Sequence, residues 1–587
     1  MFNRRTVIKG TPISGGIAMG HARVVLPGDV ELAEITIPAS RVEGEIEALV
    51  LAVGLTIQEI RELMESAGKK IGGPVARIFD AQLLIADDDE FLNQVKSEIR
   101  QTRRNAAFVY NNLVKSTTAP LKSSPDEYMR QMATDIEAVA QRVLSHLSGH
   151  EKTDLKFPPH TILVGKMVTP GDVLLYRQRK AVGFVVSEGG QNSHMALISR
   201  ALRLPVVLSR DSCFDIANNS RLIIDGTAGE IIVHPTSDDW TEYQKRRKRQ
   251  GPAAITRIRK LSEVPPTTAD GRPVNIGANL TLRGPADDIL AEQGFPVGLY
   301  RTEFLYLANY DFPDEESQYD YYRQIAQKYA RSYVVLRAFD LGYDKLIADA
   351  VWPQEDNPAL GWRGMRAMLD MTNEFKTQIR AILRASTGKN LKILLPMISD
   401  VSELDRAKKL ISQAKFQLRK QRIPFDEDIQ VGIMAEVPSA AMTAETLVKK
   451  VDFVSIGTND LVQYTLAADR MNSRVSKLYS AFHPSVLRLI LIVVEACKKH
   501  GKPVSICGEA AGDPLALPLF IGMEIDLLSM NPARIFDQCR FVKKIDSTMA
   551  RHLLASVKAS ESQQQVINML QTYKSELEKK KPFRKRK

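Results

Sequence analysis

At 587 residues the chain is several times the usual domain length, so two to four domains are expected, each with its own core. With 44% hydrophobic and 25% charged residues it has the composition of a soluble globular protein, and no apolar run approaches the roughly 18 residues of a membrane span. The net charge of +11 is local: Lys245–Arg249 supply five positive charges and the closing KKKPFRKRK seven, leaving about −1 without them, so a nucleic-acid-binding surface is not indicated.

The N-terminus, MFNRRTVIKGTPISGG, has no apolar core behind its basic residues, which argues against a secretory signal and for a cytosolic protein. Cys213, Cys497, Cys507 and Cys539 are widely spaced and form no CxxC pair, against both a disulfide framework and a structural zinc site.

Residues 1–30 read as short strands punctuated by Gly15, Gly16 and Gly20. Residues 31–150 turn helical: Val42, Ile46, Leu49, Val53, Ile57, Ile60 and Met64 form one stripe at three- and four-residue spacing, despite Gly44 and Gly54. With IFDAQLLIADDDEFLNQVKSEIR, NAAFVYNNLVKS and DEYMRQMATDIEAVAQRVLSHL, the pattern predicts a bundle of about four helices. Over 151–235, TILVGKM, AVGFVVSEGG, LPVVLS, RLIIDG and EIIVHP read as strands around one helix, SHMALISRALR, giving a small α/β domain whose sheet residues 1–30 would complete. The charged stretch 236–270 is expected to be a helical linker.

From 271 to about 565, strand runs alternate with helical segments eight times: VNIGANL, PVGLYRTEF, YVVLRAFD, KILLPMIS, QVGIMAEV, FVSIGTND, PVSICGEA and IDLLSMN. This predicts a (β/α)8 barrel, with an open doubly wound sheet as the competing arrangement. Residues 566–587 are taken as a basic tail. The fold class is therefore a multidomain α/β chain: an α/β domain with an inserted helical bundle, then a barrel.

Active sites of such barrels lie at the C-terminal ends of the strands. There the sequence places Arg301 and Glu303, Arg337 and Asp340, Glu436, Asn459 and Asp460, and Cys507 and Glu509, with Arg363 and Arg470 in following segments. Several arginines beside two acids suit a small, multiply charged anion and a divalent metal, because the guanidinium fork grips two oxygens at once and carboxylates are hard ligands. Singly, each arginine reads as well as a structural salt bridge, the acids as partners that neutralise them, and Cys507 as an inert buried thiol. At a barrel mouth, though, a thiol can move a proton. In EGGQNSHMALISRALRLPVV, His194 follows two glycines at a helix start, where backbone N–H groups favour phosphate, and a histidine there can hold a phosphoryl group covalently. The bland alternative is a structural histidine.

The run GGQNSHMALISRALRLPVV resembles the phosphohistidine motif shared by enzyme I of the bacterial sugar phosphotransferase system, pyruvate phosphate dikinase and phosphoenolpyruvate synthase. VGLYRTEFL, NPALGWRGMR, SIGTNDLVQYTLAADR and CGEAAGD resemble the phosphoenolpyruvate-binding barrel of the same family, and the helical segment looks like the carrier-docking bundle of enzyme I. The resemblance spans about residues 8–560. It implies a phosphotransferase that takes a phosphoryl group from phosphoenolpyruvate onto Nε2 of His194 and passes it to a histidine of an HPr-type carrier. It further implies that Arg301, Arg337, Asn459 and Arg470 hold phosphoenolpyruvate with Arg363 close by, that Glu436 and Asp460 bind Mg²⁺, and that Cys507 protonates C3 of the enolate. A homodimer through the barrel and swivelling of the histidine-bearing domain also follow from the resemblance.

Asn192 stands where enzymes I usually have threonine, Met195 replaces a small residue, and Tyr343 interrupts a usual Gly-Gly, which leaves the sugar or nitrogen-regulatory branch open. The family pattern gives no account of the basic tail, and no sensory domain is expected ahead of the first strand. The alternatives are a dikinase or synthase, which would need an ATP-grasp domain and a glycine-rich lysine loop not seen in the sequence, and a degenerate relative that binds phosphoenolpyruvate or a carrier without turnover. Loss of His194, Cys507, Glu436 or Asp460 would have marked the latter.

Overall fold

A computed structural model describes residues 4–25, 33–70, 78–124, 127–148, 157–166, 168–188, 193–209, 215–250, 256–261, 264–281, 285–307, 312–342, 355, 357–469, 475 and 478–579. The described residues divide into two compact units, one holding those up to 248 and the other nearly all of those after it.

In the first unit, an eight-stranded sheet is built from β1 (Thr6–Lys9), β2 (Thr11–Ser14), β3 (Ile17–Val25), β4 (Thr161–Gly165), β5 (Ala181–Val186), β6 (Val206–Leu208), β7 (Arg221–Asp225) and β8 (Glu230–Val233), in the order β1-β8-β7-β3-β4-β5-β6-β2. β3, β4, β5 and β6 run parallel, and the flanking pairs are antiparallel. The N-terminal strands thus complete the sheet from both edges and its middle. Ile162, Val185, Ile224 and Ile231, nearly free of solvent, form its core.

The helical insertion lies between β3 and β4. The helix Val42–Lys70 runs through Gly44 and Gly54, and Leu49, Val53 and Ile60 of its predicted stripe are buried. Five helices occupy this region among the described residues, one more than the periodicity suggests. The extra one arises because IFDAQLLIADDDEFLNQVKSEIR is two helices, Ile78–Ala86 and Asp89–Thr102; the Asp88 side chain accepts the Phe91 N–H and starts the second.

The following helix, Ser237–Gln250, is fastened to the sheet rather than free. Arg246 pairs with buried Asp225 at 2.6 Å, Arg5 with Asp239 at 2.7 Å, and Tyr243 donates to Glu230 at 2.9 Å.

In the second unit, β9 (Ile276–Leu280), β10 (Val297–Tyr300), β11 (Val334–Arg337), β12 (Leu391–Leu395), β13 (Val431–Ala435), β14 (Val454–Ile456), β15 (Val504–Ile506) and β16 (Leu527–Met530) close into a barrel, every neighbouring pair parallel. Each of the eight predicted runs supplies one strand. The barrel interior is packed with Leu299, Val335, Leu394, Met434 and Phe453, with Cys507 above them toward the strands' C-terminal ends. The predicted tail from 566 is corrected in part: Gln563–Lys579 is a helix that buries Val566, Leu570, Tyr573 and Leu577. Its apolar i, i+4, i+7, i+11 spacing outweighs the basic character of the segment. Residues 580–587 lie outside the described residues.

Candidate active site

Charged side chains gather at the C-terminal mouth of the barrel because the strands stop there and the next residues turn inward. Arg337 is the last residue of β11, and only 6% of it is exposed. Its Nη2 and Nε donate to Glu303 Oε1 at 2.6 and 3.1 Å, and Nη1 lies 3.2 Å from Asp340 Oδ2. Arg363 is equally buried; Nη2 and Nε grip the two Asp340 oxygens at 2.7 and 3.1 Å, while Nη1 reaches Asp460 at 3.4 Å and Tyr464 at 3.2 Å. Burial works against both guanidinium charges. For Arg337, Glu303, Asp340 and Glu436 outweigh it, and for Arg363, Asp340 and Asp460 do, so both arginines are held firmly cationic.

Glu436 follows β13 and is 1% exposed; its Oε1 accepts the Met397 N–H at 2.8 Å. Burial pushes its carboxyl well above the usual range, and Asp460 and then Asp340 push it further against the opposing pull of Arg337 and Arg363. Met397 adopts φ 55°, a left-handed conformation costly for a non-glycine residue. Gly364, at φ +57°, passes so close that a Cβ would lie 2.8 Å from the Met397 side chain.

Asp460 sits in the first turn of the helix Thr458–Leu466. Its neighbour Asn459 accepts the Glu509 N–H at 2.9 Å, which ties the loop after β15 to this helix. Cys507, in that loop, is 2% exposed and its thiol points at the Ile456 carbonyl, 3.6 Å away. Burial raises the thiol to about 11, so it carries its proton at neutral pH. Asn279 of β9 donates to the Cys507 carbonyl at 2.6 Å and fixes the loop from the other side.

Glu436 and Asp460 fit a hard divalent cation. Two mutually repelling carboxylates face one mouth, and Gly457 leaves open the space where a Cβ would lie 2.7 Å from Glu436 Oε2. Among the described residues no group of three or more His, Cys, Asp or Glu could hold a metal, so a divalent cation at these two carboxylates would need further oxygen ligands from substrate and water.

Arg301 follows β10, half-buried, with its N–H on the Leu280 carbonyl at 2.9 Å. The structure therefore brings together Arg301, Arg337, Arg363, Glu436, Asn459, Asp460 and Cys507 at one end of one barrel. Arg470 and Tyr343 lie outside the described residues. His194 belongs to the other unit and opens the helix His194–Ala201, whose first turn is capped by the Ser193 side chain accepting the Ala196 N–H at 3.3 Å. Residues 189–192, Asn192 among them, lie outside the described residues.

Sequence reasoning missed Tyr464, Thr302 and Gln378. Tyr464 was findable: it stands four residues after Asp460 on one helix, hence on the same face.

Three family models match the chain: PEP-utilising enzyme, N-terminal, over residues 9–131; PEP-utilising enzyme, mobile domain, over 157–229; and PEP-utilising enzyme, PEP-binding domain, over 256–547. The chain is similar to the phosphoenolpyruvate-protein phosphotransferase of Listeria innocua serovar 6a, 35% identical over 573 residues that cover 97% of this chain and 99% of that one. It is likewise similar to the proteins of the same name from Staphylococcus aureus, 34% over 569 residues (97% and 99%), and Bacillus subtilis strain 168, 36% over 562 residues (95% and 98%).

Proposed function

The chain belongs to the family of phosphoenolpyruvate-protein phosphotransferases, and from that premise we propose that the phosphoryl group passes from phosphoenolpyruvate to Nε2 of His194 and then to a histidine of an HPr-type carrier. The observation that carries this reading is the convergence of Arg337 and Arg363, both held cationic, with Glu436, Asp460 and a protonated Cys507 at one barrel mouth.

Arg301, Arg337, Asn459 and Arg470 orient the substrate's phosphate and carboxylate, with Arg363 beside them. Nε2 of His194 forms a bond to phosphorus as the bond from phosphorus to the enol oxygen breaks, and the electron pair stays with the enolate. Cys507 gives its proton to C3, pyruvate leaves, and the thiolate regains a proton from solvent. Mg²⁺ held by Glu436 and Asp460 would neutralise phosphate charge. Arg337 and Arg363 supply further stabilisation from positions held by Glu303 and Asp340 before substrate arrives.

His194 and the arginines stand in different compact units, so the cycle requires the two to meet for charging and part for delivery. The carrier docks on the helical bundle. Leu84 there is 76% exposed, Asp87, Asp89 and Glu90 follow it within six residues of sequence, and its helix packs on Glu127–Leu147, where Met129 and Met132 are also exposed. Exposed apolar residues and acids on neighbouring helices suit a basic carrier. The family reading further gives a cytoplasmic enzyme of sugar transport or nitrogen regulation, paired as a homodimer through the barrel. No helix among the described residues is long and apolar enough to cross a membrane.

Pyruvate released in a single turnover tests the reaction. With Mg²⁺, phosphoenolpyruvate and no carrier, the wild type should release about one pyruvate per active chain and stop. His194→Ala should release none, and continuous release by that variant would contradict the covalent route.

A further inference from the structure

Behind the arginines lies a buried amide that the reaction scheme does not use. Gln378, on the helix Thr372–Ala385, is completely buried. Its Oε1 accepts the Phe339 N–H at 3.0 Å, and its Nε2 donates to Thr302 Oγ1 at 3.0 Å and to the Tyr322 hydroxyl at 3.2 Å. Thr302 in turn donates to the Arg337 carbonyl at 2.8 Å, and Tyr322 donates to Gln318 Oε1 at 3.2 Å. Both hydroxyl protons are thus committed elsewhere, so the group between them must be a donor on that side and an acceptor toward Phe339. A primary amide satisfies this, and a carboxylate does not.

The segments joined are the ones that carry the anion-binding arginines. Thr302 lies between Arg301 and Glu303, and Phe339 sits between Arg337 and Asp340. Resting on the proposed reaction, we infer that Gln378 is a positioning residue for phosphoenolpyruvate: its amide locks the ends of β10 and β11 to each other, and so fixes the spacing of Arg301 and Arg337. It acts through these residues without touching substrate. A small displacement of such a clamp is enough to matter, since about 1 Å of misplacement can cost roughly 10²-fold in rate.

The test is phosphoenolpyruvate-dependent labelling of His194 in the full-length protein with Mg²⁺, read as a function of phosphoenolpyruvate concentration beside a thermal melt. Gln378→Glu keeps the volume and the acceptor toward Phe339 but puts an acceptor where Nε2 donates to Thr302 and Tyr322, and Gln378→Met removes all three bonds. Both should raise the apparent KM by about 10- to 100-fold with a smaller change in maximal rate. Thr302→Val should do the same through the other end of the contact, and Thr302→Ser should recover most of the loss. Asn390→Ala supplies the structural control: among the described residues its side chain bonds the Ala326 and Tyr329 carbonyls below the start of β12, so it should lower the melting temperature and leave KM alone. A folded Gln378→Glu with wild-type KM would overturn the inference, as would an Asn390→Ala that raises KM as much as Gln378→Met. Should Gln378 variants not fold, the Thr302 pair decides: equal KM in Thr302→Val and wild type overturns it too. Wild-type protein that takes no label removes the proposed reaction itself, a distinguishable result.

Discussion

Arg337 and Glu303 are locked at the barrel mouth by two hydrogen bonds to one carboxylate oxygen, which also accepts the Asp340 N–H at 3.1 Å. Glu303 therefore aims the Arg337 guanidinium and holds the turn after β11. Breaking this buried pair removes two of the bonds on Arg337 and leaves Asp340, 3.2 Å from Nη1, as its remaining close partner, so Glu303→Ala should cost stability toward the lower end of about 3–5 kcal/mol, measured by urea unfolding. Among molecules that remain folded, the KM for phosphoenolpyruvate should rise as well.

The Cys507 thiol is predicted to resist alkylation at neutral pH and to react only as the pH approaches about 11, where burial places its ionisation. The same shift has a consequence for stability. An unfolded thiol ionises at its ordinary, lower value while the folded one keeps its proton, so the unfolded state binds fewer protons and stability falls as pH rises from about 9 to about 11. Cys507→Ala should lessen that alkaline slope. Timed iodoacetamide labelling with peptide mass analysis, and unfolding curves across that pH range, check the two statements.

Mg²⁺ binding at the proposed Glu436 and Asp460 site should be coupled to proton release. Burial and the nearby Asp460 and Asp340 raise the Glu436 carboxyl, so at lower pH a proton competes with the cation and affinity should increase as pH rises. Calorimetric titration in buffers of differing ionisation enthalpy counts the protons released. Glu436→Gln should abolish both the release and most of the affinity.

Gly508 follows Cys507 where no side chain can be accommodated. A Cβ there would lie 1.8 Å from Thr458 Oγ1 and 2.8 Å from the Thr458 backbone nitrogen. Gly508→Ala must push the Cys507 loop away from the helix carrying Asn459 and Asp460. Overpacking of this sort typically costs about 1–3 kcal/mol, and pyruvate formation should fall far more steeply than the melting temperature.

The barrel was legible in the sequence because its strands are nearly continuous apolar runs, each followed by a loop, and the charged residues that end them mark its mouth. Arg337, Glu436 and Cys507 could be found by position alone. Gln378 and the Met397 N–H could not, since the first lies 76 residues from Thr302, the second 39 from Glu436, and neither contact leaves a periodic trace. The division at Asp88 was hidden for a different reason: a side-chain cap starts a new helix without a glycine or proline to announce it. The closing helix Gln563–Lys579 was obscured by the basic residues that follow its apolar stripe.

The most direct measurement is incubation of the purified protein with Mg²⁺ and ³²P-labelled phosphoenolpyruvate, comparing wild type with His194→Ala and testing the label in acid and alkali. An acid-labile, alkali-stable label in the wild type that vanishes in His194→Ala is the predicted result. No label in the wild type, or the same label in His194→Ala, would contradict the account.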